Sequence, residues 1–203
     1  MPSRVLLLID IQKDYLSTLP IEYPPVQDSL ARVAEAMDAA HRHSIPVVAV
    51  QNMAPAASPV FAAGSDGVEL HDVVRRGGYD DLIVKHLPDA FAGTGLAESL
   101  RESHIDTLTV AGYMTHNCVL ATILSAVHHG FVVEFLSDAS GSLSYENRAG
   151  HASAEELHRA CCVVLQSRFA AVMTVSEWSS MLDGAGTAER DTIYNSNRRA
   201  RGL

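Results

Sequence analysis

Six short apolar runs constrain the fold of this 203-residue chain more than any other feature. Their apolar residues follow one another without alternation, which is typical of strands that are covered on both faces of a parallel sheet. Helix-like segments separate most of the runs, so we predict an α/β fold with three α/β/α layers. The predicted sheet is six-stranded, mostly parallel and doubly wound, in the common Rossmann-like order 3-2-1-4-5-6. The runs occupy residues 5–9, 47–50, 81–85, 106–111, 131–136 and 170–175.

Composition narrows the class of protein and of partner. The formal net charge is −9, whereas nucleic acid and anionic membranes require basic surfaces, so neither is an expected partner. No apolar run is long enough to span a bilayer. The three cysteines, two of them adjacent, make a poor disulfide framework and favour a reducing cytoplasm. We predict a single domain over residues 1–182, followed by a polar tail, 183–203, that is disordered or packs on a neighbouring subunit.

The stretch from Leu108 to Val119 combines a buried strand, a tight turn at Gly112 and the start of a helix that carries Cys118. The first N–H groups of a helix lack internal acceptors and make that end electropositive. A thiol placed there is biased toward the reactive thiolate, and nearby amides can bind an oxyanion. The alternative is that Cys118 only packs, because free cysteine is among the most buried residue types.

Two further ionisable groups end predicted strands. Asp10 follows the first strand and Lys85 ends the third, although the chain has only one other lysine, Lys13. In the predicted order the first and fourth strands are neighbours, so Asp10 and Cys118 flank one crevice at the carboxyl edge of the sheet. Structural alternatives are that Asp10 caps a turn and that the lysines reflect composition alone.

An acid, an amine and a thiol in one crevice suit acyl transfer through a thioester. The ammonium of Lys85 favours the charged forms of Asp10 and Cys118. The carboxylate can take the thiol proton and later return a proton to a leaving amine.

The same segments resemble the isochorismatase-like cysteine hydrolases. The similarity lies in Leu-Leu-Ile-Asp-Ile-Gln over residues 7–12, Val-Lys-His over 84–86, Ala-Phe-Ala-Gly-Thr-Gly-Leu over 90–96, and Gly-Tyr-Met-Thr-His-Asn-Cys-Val over 112–119. Ser-Asp-Ala over residues 137–139 is also similar. The resemblance covers most of residues 4–182 and implies a six-stranded α/β/α fold with an Asp–Lys–Cys triad.

Site roles follow from that resemblance residue by residue. It implies that Asp10 is the general base and acid, Lys85 the electrostatic partner and Cys118 the nucleophile. It also implies a cis peptide at Tyr113–Met114, with the backbone amides of Met114 and Cys118 forming the oxyanion hole. Members of the family commonly form dimers or tetramers, so a homodimer or homotetramer is expected.

Departures from the family pattern sharpen the expected reaction. Nicotinamidases of this family carry a metal site, Asp-x-His plus a further histidine, after the second strand, whereas this chain has Gln-Asn-Met-Ala-Pro over residues 51–55. We therefore expect no metal and no cofactor. Isochorismatases that cleave a vinyl ether need no cysteine, so the presence of Cys118 favours hydrolysis of a C–N bond in a small amide, carbamoyl compound or lactam.

Two other functions stay open at this point. One is vinyl-ether hydrolysis with Asp10 as general acid, which needs cations for substrate carboxylates, for which Arg75, Arg76 and Arg148 are the candidates. The other is a non-catalytic binding protein on the same fold.

Pocket residues are inferred from their nearness in sequence to the triad. The candidates for substrate binding are Tyr15, Asn52, Phe91, Tyr113 and Thr115, and His116 is a further candidate whose geometry decides any pairing with Cys118. The irregular stretch 53–78 is predicted to be a lid or an oligomer contact.

Overall fold

A six-stranded parallel sheet forms the centre of the computed structural model, which describes residues 3–203. The sheet order is β3-β2-β1-β4-β5-β8, with every neighbouring pair parallel. In chain order of the sheet strands this is 3-2-1-4-5-6, so the predicted topology is confirmed. The strands are β1 Arg4–Ile9, β2 Val47–Asn52, β3 Asp81–Lys85, β4 Thr107–Tyr113, β5 Val132–Gly141, β6 Tyr145–Asn147, β7 Gly150–Ala152 and β8 Ala171–Met173.

Helices cover both faces of the sheet. On one face α1 packs its buried stripe of apolar residues, spaced three and four apart, beside the buried Trp178 of α6. On the other face α3 and α4 enclose a second apolar core with residues that follow α5. No helix among residues 3–203 is both long and apolar enough to cross a membrane. The helices are α1 Val26–Arg42, α2 Asp72–Gly77, α3 Leu96–Glu102, α4 Leu120–His128, α5 Ala154–Val164, α6 Val175–Leu182 and α7 Ile193–Ala200.

The fifth sheet strand is longer than its apolar run predicted. It continues past Leu136 because the register against β4 shifts between Val110 and Gly112, which lets polar residues stay in the strand. Ser140 stabilises this irregularity, since its Oγ accepts a hydrogen bond from the Gly112 amide and donates one to the Leu136 carbonyl. Beyond it, β6 and β7 form a separate exposed hairpin where a polar loop was predicted.

The stretch 53–78 is packed against the residues that follow β1. Its buried Phe61 donates a backbone hydrogen bond to the Asp14 carboxylate, and Leu70 pairs with Gln12 in an isolated bridge. The stretch also contains α2, whose first turn is capped by Nδ1 of His71. The sequence did not predict α2, because a helix of six residues is too short to show periodicity.

The tail has secondary structure of its own. Residues 189–191 attach to Gln166, which donates to the Glu189 carbonyl and accepts from the Asp191 amide, and α7 follows. Residues 193–200 of this segment are thus helical, and its disorder in solution is a prediction that the helix does not test. Its packing on a neighbouring subunit stays a prediction.

Candidate active site

Three ionisable side chains meet at the carboxyl edge of the sheet. Nζ of Lys85 lies 2.8 Å from Oδ2 of Asp10 and 3.3 Å from Sγ of Cys118. Asp10 and Lys85 have no exposed surface, and Cys118 is 7% exposed. The structure thus brings together the three residues that the sequence singled out. Lys85 reaches Asp10 past β2, which separates the strands that carry them.

The backbone at Asp10 turns the chain sharply out of the sheet. Asp10 has a φ of 52°, in the left-handed region, where a non-glycine residue costs on the order of 1 kcal/mol. Its amide still donates to the Val50 carbonyl at 3.0 Å, so the strand ladder holds the turn. Aspartate tolerates this conformation better than most residues, and the turn buries its carboxyl group in the crevice.

The Asp10 carboxylate has few donors. Oδ2 forms the ion pair with Lys85, and a hydrogen bond with the Cys118 thiol also affects the pKa of Asp10, but Oδ1 has no partner of good hydrogen-bond geometry among residues 3–203. The Asn52 amide beside it donates instead to Oε1 of Gln12 at 2.9 Å. A buried carboxylate oxygen without a partner is costly unless a ligand or a reacting proton meets it, so Oδ1 is suited to accept a proton.

The resting thiol keeps its proton. Burial, together with the negative charge of Asp10, raises the pKa of Cys118 to about 12, although Lys85 acts in the opposite direction. Burial likewise raises the pKa of Asp10, against the lowering effect of Lys85. Burial of the charge therefore opposes the thiolate form that the helix terminus and Lys85 favour in the unliganded site. Thiolate has to form as part of the reaction.

The turn before Cys118 has the backbone geometry that the family resemblance implied. The Tyr113–Met114 peptide is cis, and the Met114 amide finds no acceptor among residues 3–203. Gly112 has a φ of 121°, and a Cβ there would lie 2.1 Å from the Ile9 carbonyl oxygen, so only glycine fits. Cys118 follows on a π-helical turn, Thr115–Val119, that leads into α4.

Two predicted substrate ligands are instead supports of this turn. The Tyr113 hydroxyl lies 2.7 Å from Oγ of Ser29 on α1. Oγ1 of Thr115 lies 3.1 Å from the Gly141 carbonyl and 2.9 Å from Nδ1 of His158. Both hydroxyl groups have protein partners, and both residues are fully buried, which corrects the expectation that they bind substrate.

Phe91 is also removed from the predicted pocket. Its ring packs against His129 and Phe131, with centroid distances of 4.8 and 6.0 Å. Those residues lie after the last turn of α4, at the amino edge of the sheet, whereas Cys118 precedes its first turn. Nearness in sequence to Lys85 misled the prediction, since the loop after β3 carries Phe91 into the core.

Tyr15 and Asn52 do lie beside the triad. Tyr15 packs on Phe61 and Tyr113, and its pKa is raised well above the usual value by burial and by the charges of Asp10 and Cys118. Its position beside Tyr113 and near the charge of Asp10 makes its hydroxyl a candidate to bind a substrate.

Asn52 connects the triad to the surface. Its Oδ1 is 3.5 Å from Nζ of Lys85. It also borders a mostly apolar cavity of about 510 Å³, lined by Asn52, Met53, Ala54, Pro55, Ala63 and His86. Its lining includes residues 52–55 after the second strand, the stretch in which the family resemblance implied a metal site for nicotinamidases.

The residues at that place do not fit a metal. The cavity holds one imidazole, His86, whose Nδ1 is 2.7 Å from the Met53 carbonyl, and no carboxylate. Among residues 3–203 no group of three or more histidine, cysteine, aspartate or glutamate side chains is arranged to hold an ion. A divalent cation prefers several such ligands, so no step of the chemistry is derived through one.

The sequence left open the role of His116 and missed Tyr145. Nδ1 of His116 lies 2.9 Å from Oγ of Ser142, its Nε2 has no hydrogen-bond partner among residues 3–203, and neither nitrogen forms a hydrogen bond with Cys118. Its ring meets that of Tyr145 edge-on at 4.8 Å. The Tyr145 hydroxyl points to Sδ of Met114 at 3.9 Å, so the β6–β7 hairpin borders the turn before Cys118. An isolated aromatic residue in a polar stretch was the one available signal for Tyr145.

Comparison with known proteins identifies the family. A family model described as the isochorismatase domain matches residues 4–177. The chain belongs to the isochorismatase family. The suspected family is therefore confirmed, and the protein is a hydrolase of that family.

Its relatives share most of its length. The isochorismatase-family protein YddQ of Bacillus subtilis is 32% identical over 173 residues, covering 85% of this chain and 96% of YddQ. A crystal structure from Burkholderia xenovorans LB400, provisionally described as an isochorismatase, is 57% identical with a TM-score of 0.97, covering 99% of this chain and 97% of that one. A streptothricin hydrolase of Streptomyces noursei is 30% identical over 139 residues, covering 68% of this chain and 54% of that protein.

Proposed function

We propose that this isochorismatase-family hydrolase is a metal-independent cysteine amidohydrolase. It cleaves a C–N bond of a small amide, carbamoyl compound or lactam through a thioester on Cys118. The observation that carries the proposal is the buried contact set in which Lys85 touches both Asp10 and Cys118. Apolar side chains in place of these buried charged groups would often stabilise the fold equally well or better, so their presence supports a role in chemistry.

Acylation starts from the protonated thiol. Sγ of Cys118 attacks the substrate carbonyl carbon while its proton passes to the Asp10 carboxylate. The carbonyl oxygen becomes an oxyanion that the amides of Met114 and Cys118 stabilise, and each such donor contributes about 3 kcal/mol to barrier lowering. Asp10 then gives the proton to the leaving nitrogen, the C–N bond breaks, and an amine leaves a thioester behind.

Deacylation repeats the sequence with water. Asp10 takes a proton from water while the water oxygen attacks the thioester carbonyl carbon. The second tetrahedral intermediate then collapses, and the bond between that carbon and Sγ of Cys118 breaks. The proton on Asp10 returns to the thiolate, which restores the resting state. The net reaction consumes one water and produces an acid and an amine, which remain joined in one molecule when the substrate is a lactam.

Lys85 supplies the charge balance. Its ammonium group stays in place while negative charge moves between Asp10 and Cys118, both of which it contacts. Burial favours the neutral forms of both acids, so a fixed cation is needed for either anion to form inside the crevice.

The walls of the crevice favour an uncharged substrate. The groups next to the triad are the aromatic ring and hydroxyl of Tyr15 and the amide of Asn52, followed by the mostly apolar cavity. A neutral amide can be bound there by hydrogen bonds and apolar contact without burying a further charge. The name of the Streptomyces relative, a streptothricin hydrolase, agrees with hydrolytic chemistry.

Vinyl-ether hydrolysis finds no support in the arginine positions. Arg75 and Arg76 lie on α2, where both pair with Asp72 on the exposed surface. Arg148 is exposed in the turn of the β6–β7 hairpin. None of these side chains contacts the triad, so cations for a dicarboxylate substrate are not in place.

The test is a screen of small neutral amides, carbamoyl compounds and lactams, with ureido acids as charged comparison substrates and intact-mass measurement of the protein. The wild type should show a transient acyl adduct on Cys118, and Cys118→Ala should lose both adduct and turnover. Cys162→Ala is the matched control, because that thiol is partly buried and also has a pKa raised to about 12, but it lies on α5. Dialysis against a chelator should leave turnover unchanged. Full turnover by Cys118→Ala would show that the mechanism is wrong.

A further inference from the structure

His158 is a buried ionisable residue that the mechanism above does not use. It lies on α5, is 7% exposed, and has its Nδ1 2.9 Å from Oγ1 of Thr115. Burial lowers the pKa of His158 to about 4, so the imidazole is neutral near pH 7. The edge of the Tyr23 ring covers it, with a centroid distance of 5.6 Å.

The hydrogen bonds around Thr115 fix the direction of this contact. Oγ1 of Thr115 also lies 3.1 Å from the Gly141 carbonyl, which can only accept. A hydroxyl group has one hydrogen, so Thr115 donates to Gly141 and must accept from His158. Nδ1 of His158 therefore carries the hydrogen in the neutral imidazole.

Thr115 in turn fixes Met114. The Met114 carbonyl accepts from the amides of Asn117 and Val119 at 3.0 and 3.2 Å, while the Met114 amide is free of acceptors among the described residues. On the other side of Met114, Tyr113 is anchored to Ser29. Both neighbours of Met114 are thus anchored to helices. The Tyr113 hydroxyl connects to α1, and the Thr115 hydroxyl connects to α5.

We propose that His158 is a positioning residue, which acts through Thr115 to hold the Met114 amide where the oxyanion forms. The inference rests on the proposed function, because it assumes acyl transfer at Cys118. His158 lies 43 positions after Thr115 in the sequence, and its hydrogen bond to Thr115 sets the geometry of the oxyanion hole.

Two chemical probes of the same thiol separate positioning from general support. Acylation by p-nitrophenyl acetate passes through an oxyanion and releases p-nitrophenol, whereas alkylation by iodoacetamide displaces iodide without one. His158→Leu should lower Cys118-dependent acylation about tenfold or more, since a misplaced donor loses much of its effect. Alkylation, compared at about pH 9 where thiolate is more abundant, should change by less than about twofold.

Conservative variants test the hydrogen bond itself. His158→Asn should restore most of the acylation rate, because its side-chain amide can donate a hydrogen bond from near the position of Nδ1. His158→Gln should not restore the rate, because its side-chain amide lies further from the backbone. Thr115→Val should resemble His158→Leu, and the double variant should be no worse than either single one. Thr115→Val also serves as the test if His158→Leu does not fold.

Each outcome has a defined reading. Wild-type acylation in both His158→Leu and Thr115→Val, with acylation abolished in Cys118→Ala, overturns this inference and leaves the proposed function standing. Equal losses of acylation and alkylation mean that His158 only supports the fold, which also overturns it. Acylation that survives unchanged in Cys118→Ala overturns the proposed function and this inference with it.

Discussion

Nζ of Lys85 lies 2.8 Å from Oδ2 of Asp10, and neither side chain has exposed surface. Taking both charges out of water is expensive, and their attraction offsets that cost only while both are present. The same ammonium lies 3.3 Å from Sγ of Cys118, so one cation serves two groups whose anionic forms burial disfavours. The consequences of this pairing can be measured without knowledge of the substrate.

Lys85→Met should strongly destabilise the protein. It leaves the Asp10 carboxyl buried without its counter-ion, which typically costs about 3–5 kcal/mol of the free energy of unfolding. The double variant with Asp10→Asn should recover part of that loss, as measured by urea unfolding at neutral pH.

The control is Lys13→Met, since Lys13 is the other lysine of the chain and pairs with the largely exposed Asp66. Loss of an exposed ion pair should cost about 1 kcal/mol or less. Similar costs for the two lysine variants would contradict the picture of a buried, mutually dependent pair.

His158 should make the protein less stable in acid. Its pKa is lowered by burial from 6.5 to about 4, so the unfolded chain binds a proton at higher pH than the folded protein does. The stability that neutral His158 provides is complete above pH 6.5 and is lost as the pH falls toward 4. Relative to His158→Asn, the wild type should lose about 2–3 kcal/mol more between pH 7 and pH 4.

Paired urea titrations of the wild type and His158→Asn at several pH values measure this difference, and subtraction removes the contribution of other groups. Neighbouring His116, whose pKa burial also lowers, is present in both proteins, so subtraction leaves only its repulsion of protonated His158, which is part of the effect being measured. Parallel stability profiles for the two proteins would contradict a lowered pKa at His158.

Gly112→Ala should cost more than about 3 kcal/mol, because it combines an unfavourable backbone angle with a Cβ placed 2.1 Å from the Ile9 carbonyl oxygen. Gly78→Ala isolates the first effect, since Gly78 has a φ of 81° and open space around its Cβ position. It should cost only about 1 kcal/mol. Thermal or urea unfolding measures the two costs. Equal costs would mean that the close approach of β4 to β1 adds nothing to the destabilisation caused by the backbone angle.

Cys118 should react slowly with iodoacetamide at neutral pH when no substrate is bound. Its pKa is raised to about 12, so the thiolate fraction lies well below that of free cysteine, and the rate should keep rising above pH 9. The measurement is the pH profile of Cys118 carboxamidomethylation by mass spectrometry. A plateau near neutral pH would show a resting thiolate. Slow alkylation alone therefore does not separate a catalytic thiol from a packed one, whereas acylation does.

The fold followed from sequence because unbroken apolar runs require strands that are covered on both faces. The same runs end in Asp10 and Lys85, and strand order brings them to one edge, so the triad could be predicted as well. That Lys85 spans the width of β2 to reach Asp10 depends on side-chain packing, which periodicity does not encode.

Other parts of the site depend on contacts distant in sequence. Thr115 was taken for a substrate ligand, but its partners are Gly141 and His158, which no local pattern connects to it. Tyr145 lies on strands of three residues whose polar character resembles a loop. The charge state of Cys118 depends on how deeply the assembled fold buries it, whereas the sequence shows only its place beside a helix.

The protonated resting state of Cys118 also bears on oxidative damage. Hydrogen peroxide attacks thiolates and converts them first to sulfenic and then to irreversibly oxidised acids. With a raised pKa and 7% exposure, Cys118 offers little thiolate to peroxide when no substrate is bound. If Cys118 is the nucleophile, as we propose, the burial that delays its activation also protects it from oxidative inactivation.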